Sequence, residues 1–180
     1  MATIVTAFDL TPHDCKVVQL ARQKTLTLRR ALLIPFAGIE EEGEAAVPKK
    51  AQMVKEALRI NKITPHNPVL VVPKHSAIVR SVFLPSTEDD ELEGMAQFEA
   101  EKIIPFNVDR HVISHAILSQ ESLSGSRVLL AAIDEPIIGE SLHVLTQAGI
   151  EPTVSQISSL SLTNAWRRDN ELDRSYALFS

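Results

Sequence analysis

Val69-Leu70-Val71-Val72 is an unbroken apolar run, bounded by Pro68 and closed by Pro73. A strand with only one buried face alternates apolar and polar residues. A continuous apolar run suits a strand covered on both faces, as in a parallel sheet. Parallel pairing needs crossover connections, so the run must be read with what precedes it. Three β-rich stretches come first, Thr3 to Leu10, Cys15 to Ala21 and Leu26 to Ile34, joined by short polar turns. That spacing predicts an antiparallel meander. Ala51, Val54, Ala57 and Leu58 then recur at helical spacing up to Ile60. Meander, helix and buried strand together predict an α/β fold.

The rest of the chain continues the pattern. Ala77 to Leu84 reads as a strand. Pro85-Ser86-Thr87 opens a helix from Glu88 to Ile104, with Ser86 or Thr87 at its N-cap, and Pro105 stops it. Val112 to Leu118 and Arg127 to Ile133 are strands joined by a Ser/Gly turn. Asp134 caps a helix with Pro136 in its first turn and Gly149 at its end. Thr153 to Ile157 is a short strand, a helix runs from Ser158 or Ser159 through Trp166 and Arg168, and Tyr176 to Phe179 begins another strand. The β-α-β-β-α order between Ala77 and Gly149 predicts a self-contained unit inserted into the first.

Composition narrows the function. The chain has 180 residues, 44% hydrophobic and 23% charged, with a net charge of −5. This excludes a disordered tail and a collagen-like fibre. A mildly acidic chain without a basic block is not a nucleic-acid binder. Cys15 is the single cysteine, so no internal disulfide forms, and a reducing compartment is expected. Its apolar strand makes it a small core residue. The strongest uncharged apolar stretch, Ala31 to Ile39, is interrupted by Pro35 and Gly38. It is far shorter than the about 20 residues a membrane helix needs, so no direct membrane span is expected.

Catalytic motifs are absent. There is no G-x-S-x-G and no G-x-x-x-x-G-K-[ST]. His111 and His115 lie two pleats apart on a strand, too far to share a metal readily, so no metal site is expected. One turn invites a nucleotide reading. The first strand ends in Asp9, turns through Thr11-Pro12-His13-Asp14 and re-enters a strand at Lys16. Actin-like ATPases present their first phosphate loop in this way. Yet Thr11 and Pro12 stand where small residues are expected, and proline has no N–H to donate. A plain hairpin with an Asp in its turn fits equally well.

The helix from Glu88 to Ile104 is more informative. Leu92, Met95, Ala96, Ala100 and Ile103 form one stripe. Glu99 falls within it, paired with an arginine such as Arg80 or lying at its wet edge. Phe98 falls outside it, and an aromatic off the core face covers a second subdomain or a partner. Pro105 ends the helix, so Ile104 and Phe106 are expected to project from a chain turning away. Phe98, Ile104, Pro105 and Phe106 are therefore the candidate partner-binding residues, in a cleft beside the helix end.

Four stretches in order resemble one family, the type IV pilus assembly protein PilM, with the cytoplasmic domain of type II secretion protein L related to it. "AFDLTPHDCKVVQL" is similar to the family's opening strand, phosphate loop and second strand, with Asp9, Lys16, Val17 and Val18 matching and Thr11 replacing a glycine. "VLVVPKHSAIVRSVFLP" resembles its buried strand followed by an arginine-bearing strand ending in Leu-Pro. "ELEGMAQFEAEKIIPF" is the most specific, matching a helix with Phe-Glu-Ala-Glu and an aliphatic-Pro-Phe end. "VLTQAGIEPTVSQISSLSLTNAW" is similar to the helix, strand and helix that return the chain to its first subdomain.

The resemblance implies an actin-like ATPase (ribonuclease H-like) α/β fold. Residues 1–75 and 150–172 would form subdomain IA, residues 76–149 the inserted subdomain IC shared with FtsA, and residues 173–180 the start of a second half otherwise missing here. It implies a degenerate nucleotide site at Asp9, Thr11 and Lys16. It implies no cofactor in this chain, leaving ATP with Mg to a longer protein. The function implied is a non-enzymatic cytoplasmic scaffold of a pilus or secretion platform, peripheral to the inner membrane. Its partners would be a PilN-like inner-membrane protein tail and the assembly ATPase. Two alternatives share the fold: an active ATPase or phosphotransferase, and an FtsA-like filament former.

Overall fold

The computed structural model describes residues 3–104, 110–121 and 124–161. Pro105, Phe106, the continuation of the last helix to Trp166 and Arg168, and the expected strand at Tyr176 to Phe179 lie outside them. The chain divides into two compact units, Met1–Lys74 with Gly139–Ser180, and His75–Ile138.

The first unit is a five-stranded sheet in the order β3-β2-β1-β4-β8. β1 (Thr3–Leu10), β2 (Asp14–Arg22) and β3 (Leu26–Pro35) form the antiparallel meander. β4 (Pro68–Val72) runs parallel to β1 on one side and to β8 (Val154–Ile157) on the other. The continuous apolar run is thus the strand with a parallel neighbour at each edge. Leu70 and Val72 are buried, while Val69 and Val71 on the opposite face are half-buried. The buried face is apolar, with Phe8, Val17 and Leu70 each 0% exposed and paired across three adjacent strands.

α1 (Val47–Ile60) begins before the apolar spacing at Ala51, with Pro48 in its first turn, where a missing N–H loses no helical bond. It buries Val47, Lys50, Ala51, Val54 and Leu58. The connection to β4 is held by a buried polar cluster. Thr6 Oγ1 accepts the Gln19 side-chain amide at 3.1 Å and the His66 backbone N–H at 3.1 Å. Gln19 also donates to the Thr64 carbonyl at 2.9 Å. Each buried polar group therefore has a partner, as burial demands.

The second unit is a three-stranded antiparallel sheet, order β5-β7-β6, with α2 packed on one face. β5 is Ala77–Leu84, α2 Asp89–Ile103, β6 His111–Glu121 and β7 Gly125–Asp134. Its core joins Leu84, Leu92, Ala96, Ala100 and Ile104 to Val128, Leu130 and Ala132, with Met95 and Ile103 packed at the margin. The predicted stripe of α2 is the face that does this. Ser86 acts from outside the helix: its Oγ accepts the N–H of Glu88, the N-cap residue, at 3.1 Å and donates to Glu91 at 2.6 Å. Asp89, Asp90 and Glu91 in the first turn suit the helix dipole.

α3 (Glu135–Gln147) follows Asp134 and ends at Gly149, whose φ of +83° is the left-handed stop expected of a C-terminal glycine. The division between the units falls inside α3, after Ile138, rather than after Gly149. Residues 158–161 are helical.

Candidate functional site

The β1–β2 turn brings Asp9, Thr11 and Lys16 together, and its hydrogen bonds define what it can hold. Asp9 and Lys16 are cross-strand partners, so their side chains share one face. Lys16 Nζ lies 3.6 Å from Asp9 and 3.9 Å from Asp14. Thr11 closes the turn from within. Its Oγ1 accepts the N–H groups of His13 at 3.2 Å and Asp14 at 3.1 Å, and donates to the Asp14 carboxylate at 3.0 Å. The Thr11 N–H donates to the Asp14 carbonyl at 2.9 Å. Pro12 has no N–H, so every amide proton of residues 11–14 is engaged inside the turn.

A phosphate cradle needs free N–H groups and net positive charge. Here one ammonium faces two carboxylates, and the amides are already bonded. Behind the turn, Cys15 is fully buried, and burial, reinforced by the carboxylates of Asp9 and Asp14, pushes its thiol up to about 12. It is a core residue without nucleophilic character at neutral pH. Among the described residues no group of three His, Cys, Asp or Glu side chains could hold a metal.

The inserted unit carries the second candidate. Phe98 is 60% exposed on the side of α2 away from the core, and Lys102 Nζ lies 4.6 Å from its ring centroid, a cation–π contact. Glu99 bonds to Lys102 at 2.6 Å, not to Arg80. Ile104 departs from the sequence expectation. Its backbone is extended at φ −84° and ψ 114°, as the residue before a proline must be, but its N–H still bonds to the Ala100 carbonyl. The side chain therefore continues the α2 stripe into the unit's own core and is 5% exposed. Ile104 supports the site from beneath rather than projecting from it. Pro105 and Phe106 fall outside the described residues.

The sequence gives no warning of a further surface. The face of the β5-β7-β6 sheet opposite α2 carries Phe83 and Val112, 45% and 44% exposed. Apolar residues on both faces of β5 and β6 read in sequence as buried strand, and only the position of α2 reveals which face is open. Among the described residues no helix is long and apolar enough to cross a membrane.

Comparison with known proteins sets these features in a family. The family model of the type IV pilus assembly protein PilM matches residues 7–174. Among solved structures, the "PilM-PilN type IV pilus biogenesis complex" aligns with a TM-score of 0.78 at 22% identity, covering 92% of this chain and 50% of that one. The cytoplasmic domain of EpsL, an inner-membrane component of the type II secretion system of Vibrio cholerae, aligns with a TM-score of 0.56 at 13% identity, covering 85% and 57%. The chain thus spans about half the length of these structures. The likeness is one of fold, the actin-like ATPase fold. No curated protein matches. With the family model running through nearly its whole length, the chain belongs to the type IV pilus assembly protein PilM family.

Proposed function

We propose that the chain serves as a cytoplasmic scaffold in the inner-membrane platform of a type IV pilus or the related type II secretion machine. It binds the cytoplasmic tail of a PilN-like membrane protein, is held at the inner membrane through that partner, and couples it to the assembly ATPase. Family membership over residues 7–174 is the observation that carries this reading. In it, Met1–Lys74 with Gly139–Ser180 is actin-like subdomain IA, and His75–Ile138 is the inserted subdomain IC. The tail docks on the inserted unit at the exposed Phe98, beside the end of α2.

The chain turns over no ATP in this reading. The closed amides and paired carboxylates of the β1–β2 turn support that. Titration with Mg-ATP should give a dissociation constant weaker than about 1 mM, equivalent to about −4 kcal/mol. Low-micromolar binding would argue for an active nucleotide site.

The partner is tested by calorimetry with a peptide of the PilN-like protein's cytoplasmic tail. Phe98→Ala should keep the melting temperature within a few degrees, because the ring is 60% exposed. It should lose about 1–3 kcal/mol of peptide binding, as exposed aromatic anchors do. Undiminished binding would move the docking site elsewhere, and no binding by the parent chain would remove the scaffold reading.

A further inference from the structure

Read as a whole, the chain is acidic, but its cations are unevenly placed. Residues 15–39 hold Lys16, Arg22, Lys24, Arg29 and Arg30 and no carboxylate. All but Lys16 gather toward the tip of the β2–β3 hairpin. The turn is tight, with the Gln23 N–H bonded to the Thr25 carbonyl at 3.2 Å. Arg22 and Leu26 are cross-strand partners at the tip, and Leu20 pairs with Leu28 behind them. The register then shifts: Gln19 pairs with Arg30, so Arg29 is the extra residue of a β-bulge. Bulges bend the strand and re-aim side chains. This one sets two arginines in succession on the edge strand of the sheet.

Every residue from Arg22 to Arg30 is exposed, including Leu26 at 50% and Leu28 at 60%. Among the described residues none of the four cations pairs with a carboxylate, and Arg30 donates only to the neighbouring Arg29 carbonyl. Thr3, Arg22, Gln23 and Lys24 line an open depression beside the turn.

We propose that this hairpin docks on an anionic lipid surface, its arginines and lysine on headgroup phosphates and its two leucines at the acyl boundary. Two exposed leucines interleaved with unpaired cations match the composition of surfaces that lie at a bilayer interface. Long cationic side chains reach headgroups while their stems cover apolar surface. The remainder of an acidic chain is repelled by the same surface, which orients the hairpin toward it. The inference stands on the hairpin's own charge and exposure and is independent of the protein partner.

Vesicle co-sedimentation of the full chain tests it. The chain should pellet with phosphatidylcholine vesicles containing about 30% phosphatidylglycerol and remain soluble with phosphatidylcholine alone. Binding should disappear in about 0.5 M NaCl. Arg29→Glu with Arg30→Glu should weaken it at least about 25-fold, since each surface cation contributes about fivefold. Leu26→Ser with Leu28→Ser should weaken it several-fold while keeping the salt dependence. Should the arginine variant fail to fold, Lys24→Glu in the turn carries the same test with about a fivefold loss or more. Three results would overturn the proposal: no binding to the anionic vesicles at low salt, equal binding to both vesicle types, or charge-reversed protein that binds like the parent. Leucine variants that bind undiminished would also overturn it, since the contact would then be electrostatic alone, with no side chain at the acyl boundary.

Discussion

Gly125→Ala is expected to destabilise the inserted unit by about 3 kcal/mol or more, combining backbone strain with overpacking. Gly125 opens β7 at φ +137°, a conformation L residues avoid. A Cβ there would lie 2.2 Å from the Leu84 carbonyl oxygen and 2.9 Å from both the Pro85 Cα and the Phe83 ring. Two of those three neighbours are backbone at the end of β5, so no side-chain rotation relieves the contact. The next residue, Ser126, is fully buried and donates to the Ser86 carbonyl at 2.8 Å, so a shift would break that bond too. Gly94→Ala on α2 is the control. Nothing lies within 4 Å of its added methyl, and it should gain about 0.5–1 kcal/mol. Urea melts of both variants decide the matter. A Gly125→Ala protein within about 0.5 kcal/mol of the parent would mean that the β5–β7 corner is looser than described.

The second large effect concerns Lys50. Its side chain is 7% exposed, its Nζ is 2.7 Å from Glu140 on α3, and the Phe36 ring centroid lies 5.8 Å away. Glu140→Ala leaves an ammonium buried without its carboxylate and should cost about 3 kcal/mol. Lys50→Met removes the charge instead, and the freed Glu140, partly exposed, rehydrates, so its cost should be smaller. The double variant Lys50→Met with Glu140→Leu should return close to the parent, because well-packed apolar pairs replace buried ion pairs at little cost. Chemical denaturation of the three variants measures these costs against the parent. If Glu140→Ala costs no more than Lys50→Met, water reaches Lys50 and the ion pair is not the reason it is tolerated inside.

These residues show where sequence is a sufficient guide and where it is not. The meander and the α2 stripe were legible because their periodicity is local and their apolar residues face one way, and β4 because its apolar run is unbroken between two prolines. Asp9, Thr11 and Lys16 were legible as neighbours because one short turn joins their strands, while the ion pair of Asp9 with Lys16 was not. Lys50 was not, since a lysine at a helical core position looks like solvent-facing charge until a carboxylate 90 residues away is seen beside it. Ile104 was misjudged because Pro105 ends the helix without ending its stripe. The closed state of the β1–β2 turn was half legible. Pro12 announces a missing donor, but the Thr11 hydroxyl engaging two amides at once is a matter of geometry.

The pairing of β4 has a consequence for synthesis. Its partner β8 is made only after the whole inserted unit, so Val69 to Val72 leave the ribosome as an apolar strand with one edge unpaired. Such an edge is the most association-prone element of a nascent chain. Folding of the insertion offsets part of that delay. Ala77 pairs with Ile133, so folding of the inserted unit draws its two ends side by side and reduces the loop that β8 must close. The order of elements thus lets the insertion complete its own sheet before β8 is available to close the central one.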